Sequence, residues 1–137
     1  MMDMNMKRDW LALIGRVALA TLFVTFGWMK IASFSAMSGY AASSGVPMPD
    51  IAIWISIVIE LLGGLMIVFG FKTRWAAFAL IVFVIVATAY FHMNFSDPNQ
   101  LTMFFKNIAI IGGLLLLKAN GPGNYSLDAV MMKKTTM

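Results

Sequence analysis

The residues able to do acid–base or hydrogen-bond chemistry from inside apolar surroundings are Arg16, Lys30, Glu60, His92, Lys106 and Asn107. Glu60 is the most telling. It lies midway along IAIWISIVIELLGGLMIVFG, residues 51–70, a run long and apolar enough to cross a bilayer as a helix. An acidic side chain at mid-bilayer costs about 2.5–3.5 kcal/mol on insertion scales, so Glu60 is expected to face protein and to have a partner. Counting about 1.5 Å per residue from the basic helix ends puts Arg16 about 12 Å deep, Glu60 about 15 Å and Lys106 about 18 Å. The expectation is therefore an acid and two bases from three helices meeting at one level. The same count puts His92 at about 27 Å and Lys30 at about 33 Å, near the opposite surface. There Lys30 reads as an interfacial anchor with a snorkelling ammonium, and His92 as an interface residue. The trio carries a surplus positive charge, to which Lys30 and a protonated His92 would add. Such a pocket suits a ligand with acceptor oxygens or an anion. The plainer alternative is that these charges only fix helix register.

Other chemistries are poorly served. With no cysteine and one histidine, the chain offers no CxxC pair, iron–sulfur ligands, covalent c-type haem, disulfide or bis-histidine haem, and no metal site is expected. No covalently held cofactor is expected, so redox chemistry would need a borrowed carrier. No nucleophile–base arrangement and no glycine-rich phosphate loop appears. The thirteen methionines read as lipid-facing and gap-filling side chains.

The elements that must position these groups are membrane helices. Of 137 residues, 61% are hydrophobic and 12% charged, against roughly 25% charged in a soluble domain. The mean hydropathy is +0.84. The expected fold is all-α: one domain, 1–137, forming a four-transmembrane-helix bundle with spans near 10–31, 51–70, 74–93 and 98–117. In the first span Arg16, Ala20, Phe23, Gly27 and Lys30 share a face, as do Ser56, Glu60, Gly63, Gly64 and Ile67 in the second. Thr88 and His92 lie one turn apart in the third. A short interfacial helix is expected over 35–42. Asp50, Thr73 and Asp97 are the expected N-caps, Asp97 with Pro98 and Gln100 as a capping box, while Gly121 ends the last span and Ser126 caps a short amphipathic tail.

Lys7, Arg8, Lys72, Arg74, Lys118, Lys133 and Lys134 fall at the N-terminus, the second connection and the tail. The other connections carry no basic residue away from the helix ends. That asymmetry gives an N-in/C-in topology with both termini cytoplasmic, and membrane rather than nucleic acid explains the basic charge. Trp10 and Trp75 then fall at the inner interface, Trp28 and Trp54 towards the outer one. The first span lacks an A-x-A-like site and reads as uncleaved.

The early arginine followed by FGWMKI, the GVPMP connection, IELLGGLMIVFGFKTRWAA, FFKNIAIIGGLLLL and the closing GPGNYSLD together resemble the DoxX family of small bacterial membrane proteins, YqjF type, over about residues 16–128. The resemblance implies a four-helix bundle in the bacterial inner membrane, with Arg16, Lys30, Glu60, Lys106 and Asn107 as the residues of interest. It also implies association with redox complexes, the family name coming from a subunit of a thiosulfate:quinone oxidoreductase. A link to disulfide handling, known for members with cysteine pairs, does not carry over. The functional expectation is a membrane subunit or accessory of a quinone-linked oxidoreductase, working with a redox partner subunit. The quinone would lie in the outer half of the bundle, with Lys106, Asn107 and His92 donating to its oxygens and Glu60 relaying a proton. The rival is a non-enzymatic scaffold or stress-related interaction protein, or a small-solute permease. Four spans are few for a permease unless it forms an oligomer.

Overall fold

A computed structural model describes residues 3–136. Met1, Met2 and Met137, the ends of the two flanking segments, lie outside them. The chain forms α1 (Met4–Ala32), α2 (Phe34–Ser43), α3 (Pro49–Phe69), α4 (Thr73–Phe91), α5 (Pro98–Asn120) and α6 (Leu127–Thr136). Among the described residues α1, α3, α4 and α5 are long and apolar enough to cross a membrane. They pack in the order α1–α3–α4–α5, and α1 meets α5 along a short stretch only.

Small residues set the α1–α3 packing. A Cβ on Gly27 would stand 2.8 Å from Leu61 Cγ, and one on Gly64 would stand 2.9 Å from Val24 Cγ2. Each glycine thus admits the facing helix to near backbone contact, as in membrane helix pairs generally. Both polar faces read from the sequence point inward: Arg16, Ala20, Phe23 and Gly27 are buried on α1, and Ser56, Glu60, Gly63, Gly64 and Ile67 on α3. The central core joins Ala20 and Phe23 to Ile67, Leu80, Val84 and Leu114. A second cluster of Ala41, Ile53 and Ile57 seats α2 across the opposite end of the bundle from the chain termini. Leu62, Leu65, Phe69, Phe78, Ile85 and Leu116 are exposed, as lipid contact requires.

The interfacial helix exists and is two residues longer than expected, as α2. Tyr40 on it stacks on Phe91 with centroids 5.1 Å apart and planes at 17°. Several caps differ from expectation. Pro49 occupies the first turn of α3 after Met48 at φ 46°, so Asp50 lies inside the helix, where it accepts the Ser38 hydroxyl and ties α2 to α3. Thr73 is likewise inside α4, completely buried, and Lys72 precedes it at φ 44°. The missing cap comes from α6: Asp128 accepts the Lys72 amide at 2.6 Å, the Thr73 amide at 2.9 Å and the Thr73 hydroxyl at 2.8 Å. Its own amide donates to the Gly70 carbonyl at 2.8 Å. Asp97 does cap α5, accepting the Asn99 amide, but Gln100 accepts from Asn94 rather than closing a capping box. Gly121 ends α5 at φ 77°, and Ser126 caps α6 by accepting the Ala129 amide.

One carboxylate therefore serves as the α4 cap and as the anchor of α6. Asp128→Ala should lower stability by about 1–2 kcal/mol, the usual cost of losing a cap, and loosen α6. Thermal unfolding in detergent and limited proteolysis of the tail would show both, and an unchanged midpoint with an uncleaved tail would refute this role.

Candidate functional site

The α1–α3 contacts fix the vertical register of every charge. With Gly27 against Leu61 and Gly64 against Val24, Glu60 is level with Trp28, and Arg16 is level with the α3–α4 turn. Depth counted from the start of each apolar run misses this, because α1 extends well past the end of α3. Side-chain direction adds to the effect. Cβ atoms lean towards a helix's N-terminus, so on antiparallel α1 and α3 the Lys30 and Glu60 side chains approach each other while that of Arg16 turns away.

The expected meeting of Arg16, Glu60 and Lys106 is thus not formed. Arg16, 3% exposed, donates through Nη1 to the Pro122 carbonyl at 2.6 Å and through Nη2 to those of Tyr125 at 2.8 Å and Val68 at 3.1 Å. It ties the last turn of α3 to the segment between α5 and α6. The partner of Glu60 is Lys30, which is no interfacial anchor but donates into the bundle to Glu60 Oε1. Glu60 is 2% exposed. The Lys30 ammonium also lies 4.9 Å from the Phe83 ring centroid. An apolar pocket makes such a pair depend on both members.

Lys30, Glu60, His92, Lys106 and Asn107 all line one cavity of about 580 Å³ in the half of the bundle nearer α2, and Arg16 does not. Its walls are otherwise apolar, including Phe23, Phe26, Phe83 and Phe91, with Ser56 and Tyr40 as further polar members. Asn107 Nδ2 donates to the Thr88 hydroxyl at 2.9 Å, and that hydroxyl donates to the Val84 carbonyl. Asn107 is thereby oriented across the α4–α5 contact. Lys106 makes no ion pair or hydrogen bond among the described residues, and its ammonium lies 5.5 Å from the Phe26 ring centroid, across the α1–α5 gap. His92 lies one residue beyond α4, which ends at Phe91, and its buried Nδ1 has no hydrogen-bond partner among the described residues. Burial first, and Lys106 second, hold its pKa below the ordinary histidine value, favouring the neutral imidazole. Among the described residues no cluster of histidines and carboxylates could hold a metal ion.

Sequence reasoning missed Lys30 as the partner of Glu60 and Tyr40 as a lining residue. A signal for the first was present, since Lys30 shares the inward stripe of α1. No local signal marks Ser38–Asp50 or Thr88–Asn107, which join different elements.

Four apolar helices around a cavity with an enclosed ion pair define a polytopic α-helical membrane protein. The chain belongs to the DoxX family, whose model matches residues 11–93. It is 39% identical to the inner membrane protein YqjF of Escherichia coli over 122 residues, covering 89% of this chain and 92% of that one. It is 38% identical to the inner membrane protein YphA of the same organism over 133 residues, covering 92% and 94%. A surfeit locus protein 4 homolog of Schizosaccharomyces pombe is 29% identical over 132 residues, spanning 89% of this chain but 38% of that longer protein. No solved structure matches. The relatives and the four apolar helices together make this a multi-pass inner-membrane protein.

Replacing one member of the Lys30–Glu60 pair leaves the other charge enclosed. Lys30→Met should cost about 3–5 kcal/mol, and Lys30→Met combined with Glu60→Leu should recover most of that loss. Unfolding of the single and double variants in mixed micelles measures the cycle, and additive losses would show that the pair is not coupled.

Proposed function

We propose that the cavity near α2 binds the head group of a lipid-soluble quinone, and that the protein serves as a membrane subunit or accessory of an oxidoreductase. The observation that carries this reading is an apolar, membrane-depth cavity with polar groups not used up by the protein itself: the Lys106 ammonium and buried His92 Nδ1. Phe26, Phe83 and Phe91 line the cavity with faces suited to a flat conjugated ring, and acceptor oxygens suit Lys106 and the second amide hydrogen of Asn107. A quinone, when bound, supplies two-electron, two-proton redox chemistry at its oxygens. The chain contributes position and charge: Lys106 places a cation where negative charge develops, and Glu60, kept in the wall by Lys30, can hold a proton. With neither cysteine nor paired histidines to ligate an electron carrier, electrons would pass to or from a redox partner subunit. Basic residues gathered at the terminal end support a cytoplasmic location for both termini, which puts the cavity in the outer half of the membrane.

Lys106 tests the reading better than Glu60, because its removal leaves the Lys30–Glu60 pair whole. Lys106→Met should fold normally and retain quinone about tenfold more weakly, the scale of one hydrogen bond from a charged donor. Native mass spectrometry of protein extracted from its own membrane, followed by titration with ubiquinone in nanodiscs, provides the readout. Absence of any quinone adduct on the wild type, or equal retention by the variant, would overturn the proposal.

A further inference from the structure

A second cavity, of about 640 Å³, lies at the terminal end of the bundle, where the start of α1, the α3–α4 turn and the segment between α5 and α6 come together. Arg8, Lys72 and Arg74 bring three cations to its wall, and Asp9 and Asp128 bring two carboxylates. The acids are engaged by uncharged donors. Asp9 accepts the Asn124 amide at 3.2 Å and Asn124 Nδ2 at 3.1 Å. Asp128 is occupied by the amides and hydroxyl at the start of α4. Arg8, Lys72 and Arg74 make no ion pair among the described residues, although Lys72 lies 5.6 Å from the Phe71 ring centroid. The Arg74 guanidinium lies over Gly121, with Nη2 3.2 Å from where a Cβ would stand, so the absence of a side chain there gives it room. Beside it Trp75 is 74% exposed.

Height in the membrane decides what such a cavity meets. Lys72 and Arg74 flank the first residue of a membrane-spanning helix, and Trp75 belongs to the residue type that gathers at headgroup level. A free anion could reach the cations from water, but an exposed indole beside them favours a ligand that also has an apolar part. We propose that this cavity binds the phosphate of an anionic phospholipid, with Arg8 and Arg74 donating to its oxygens, Lys72 adding charge and Trp75 packing against the glycerol and upper acyl chain. The site lies at the other end of the bundle from the quinone cavity and does not depend on that reading.

The test compares retention of phosphatidylglycerol with that of phosphatidylcholine on the purified full-length protein by native mass spectrometry. Wild type should hold phosphatidylglycerol at least tenfold more strongly, and Arg8→Gln with Arg74→Gln should remove that preference. Lys118→Gln with Lys134→Gln removes the same charge outside the cavity and should leave the preference intact. Arg8→Lys with Arg74→Lys should restore part of it, which separates charge from a folding defect. Equal binding of both lipids by wild type, or equal loss in the two glutamine pairs, would overturn the assignment. So would displacement of the bound lipid by millimolar inorganic phosphate, which would mark a site for the free ion.

Discussion

Moving a carboxylate and an ammonium out of water is costly wherever it happens, and in a bilayer neither group can find water to offset the loss. Glu60 is tolerated at depth because Lys30 reaches it, and Lys30 reaches it because α1 and α3 lie close enough, in one register, for the two side chains to lean together. Gly27 and Gly64 permit that approach. Moving either helix by one turn, about 5.4 Å, would separate the pair. The ion pair therefore reinforces the register that the close contacts at Gly27 and Gly64 set.

The two ends of the bundle are then built by different means. At the terminal end Arg16 binds three carbonyls and Asp128 caps α4, so a cation and an anion tie the α3–α4 turn to the tail. Backbone carbonyls accept from the Arg16 guanidinium, and two backbone amides with the Thr73 hydroxyl donate to Asp128. Towards α2 the helices stay apart, with aromatic rings lining the space and Lys106 and His92 facing into it. The terminal cavity is lined by cations and the α2 cavity mostly by apolar and aromatic side chains, and that difference is what makes the α2 end a candidate for an apolar ligand.

The four long helices, the α2 helix and the inward faces of α1 and α3 were legible from apolar run length and from spacings of three and four. Lys30, Glu60, His92, Lys106 and Asn107 can be named from the sequence as polar groups among apolar runs, but their depths cannot: counting along each helix groups Glu60 and Lys106 with Arg16 and puts Lys30 at the interface. The partner of Glu60 was hidden because sequence gives distance along a helix, not the offset between helices. Arg16 looked close to Glu60 when each helix was counted from its own end; the offset of α1 past α3 reverses that. Two of the expected caps failed for a related reason, while Asp97 and Ser126 do cap their helices: Asp50 and Thr73 are good capping residues by type, but Pro49 moved one helix start and Asp128, remote in sequence, supplied the other.

The same offset bears on what the molecule can do. Were Arg16 at the level of Glu60, the carboxylate would be held between two cations. With Arg16 engaged by carbonyls, Lys30 is the one ion-pair partner of Glu60 among the described residues, and Lys106 lines the same cavity with the Phe26 ring as its neighbour. A cation held near an aromatic ring, with no carboxylate paired to it, keeps its capacity to attract negative charge or an acceptor oxygen. Lys106 and His92 thus line the cavity as polar groups outside any ion pair among the described residues, while the Lys30–Glu60 pair forms a fixed part of its wall.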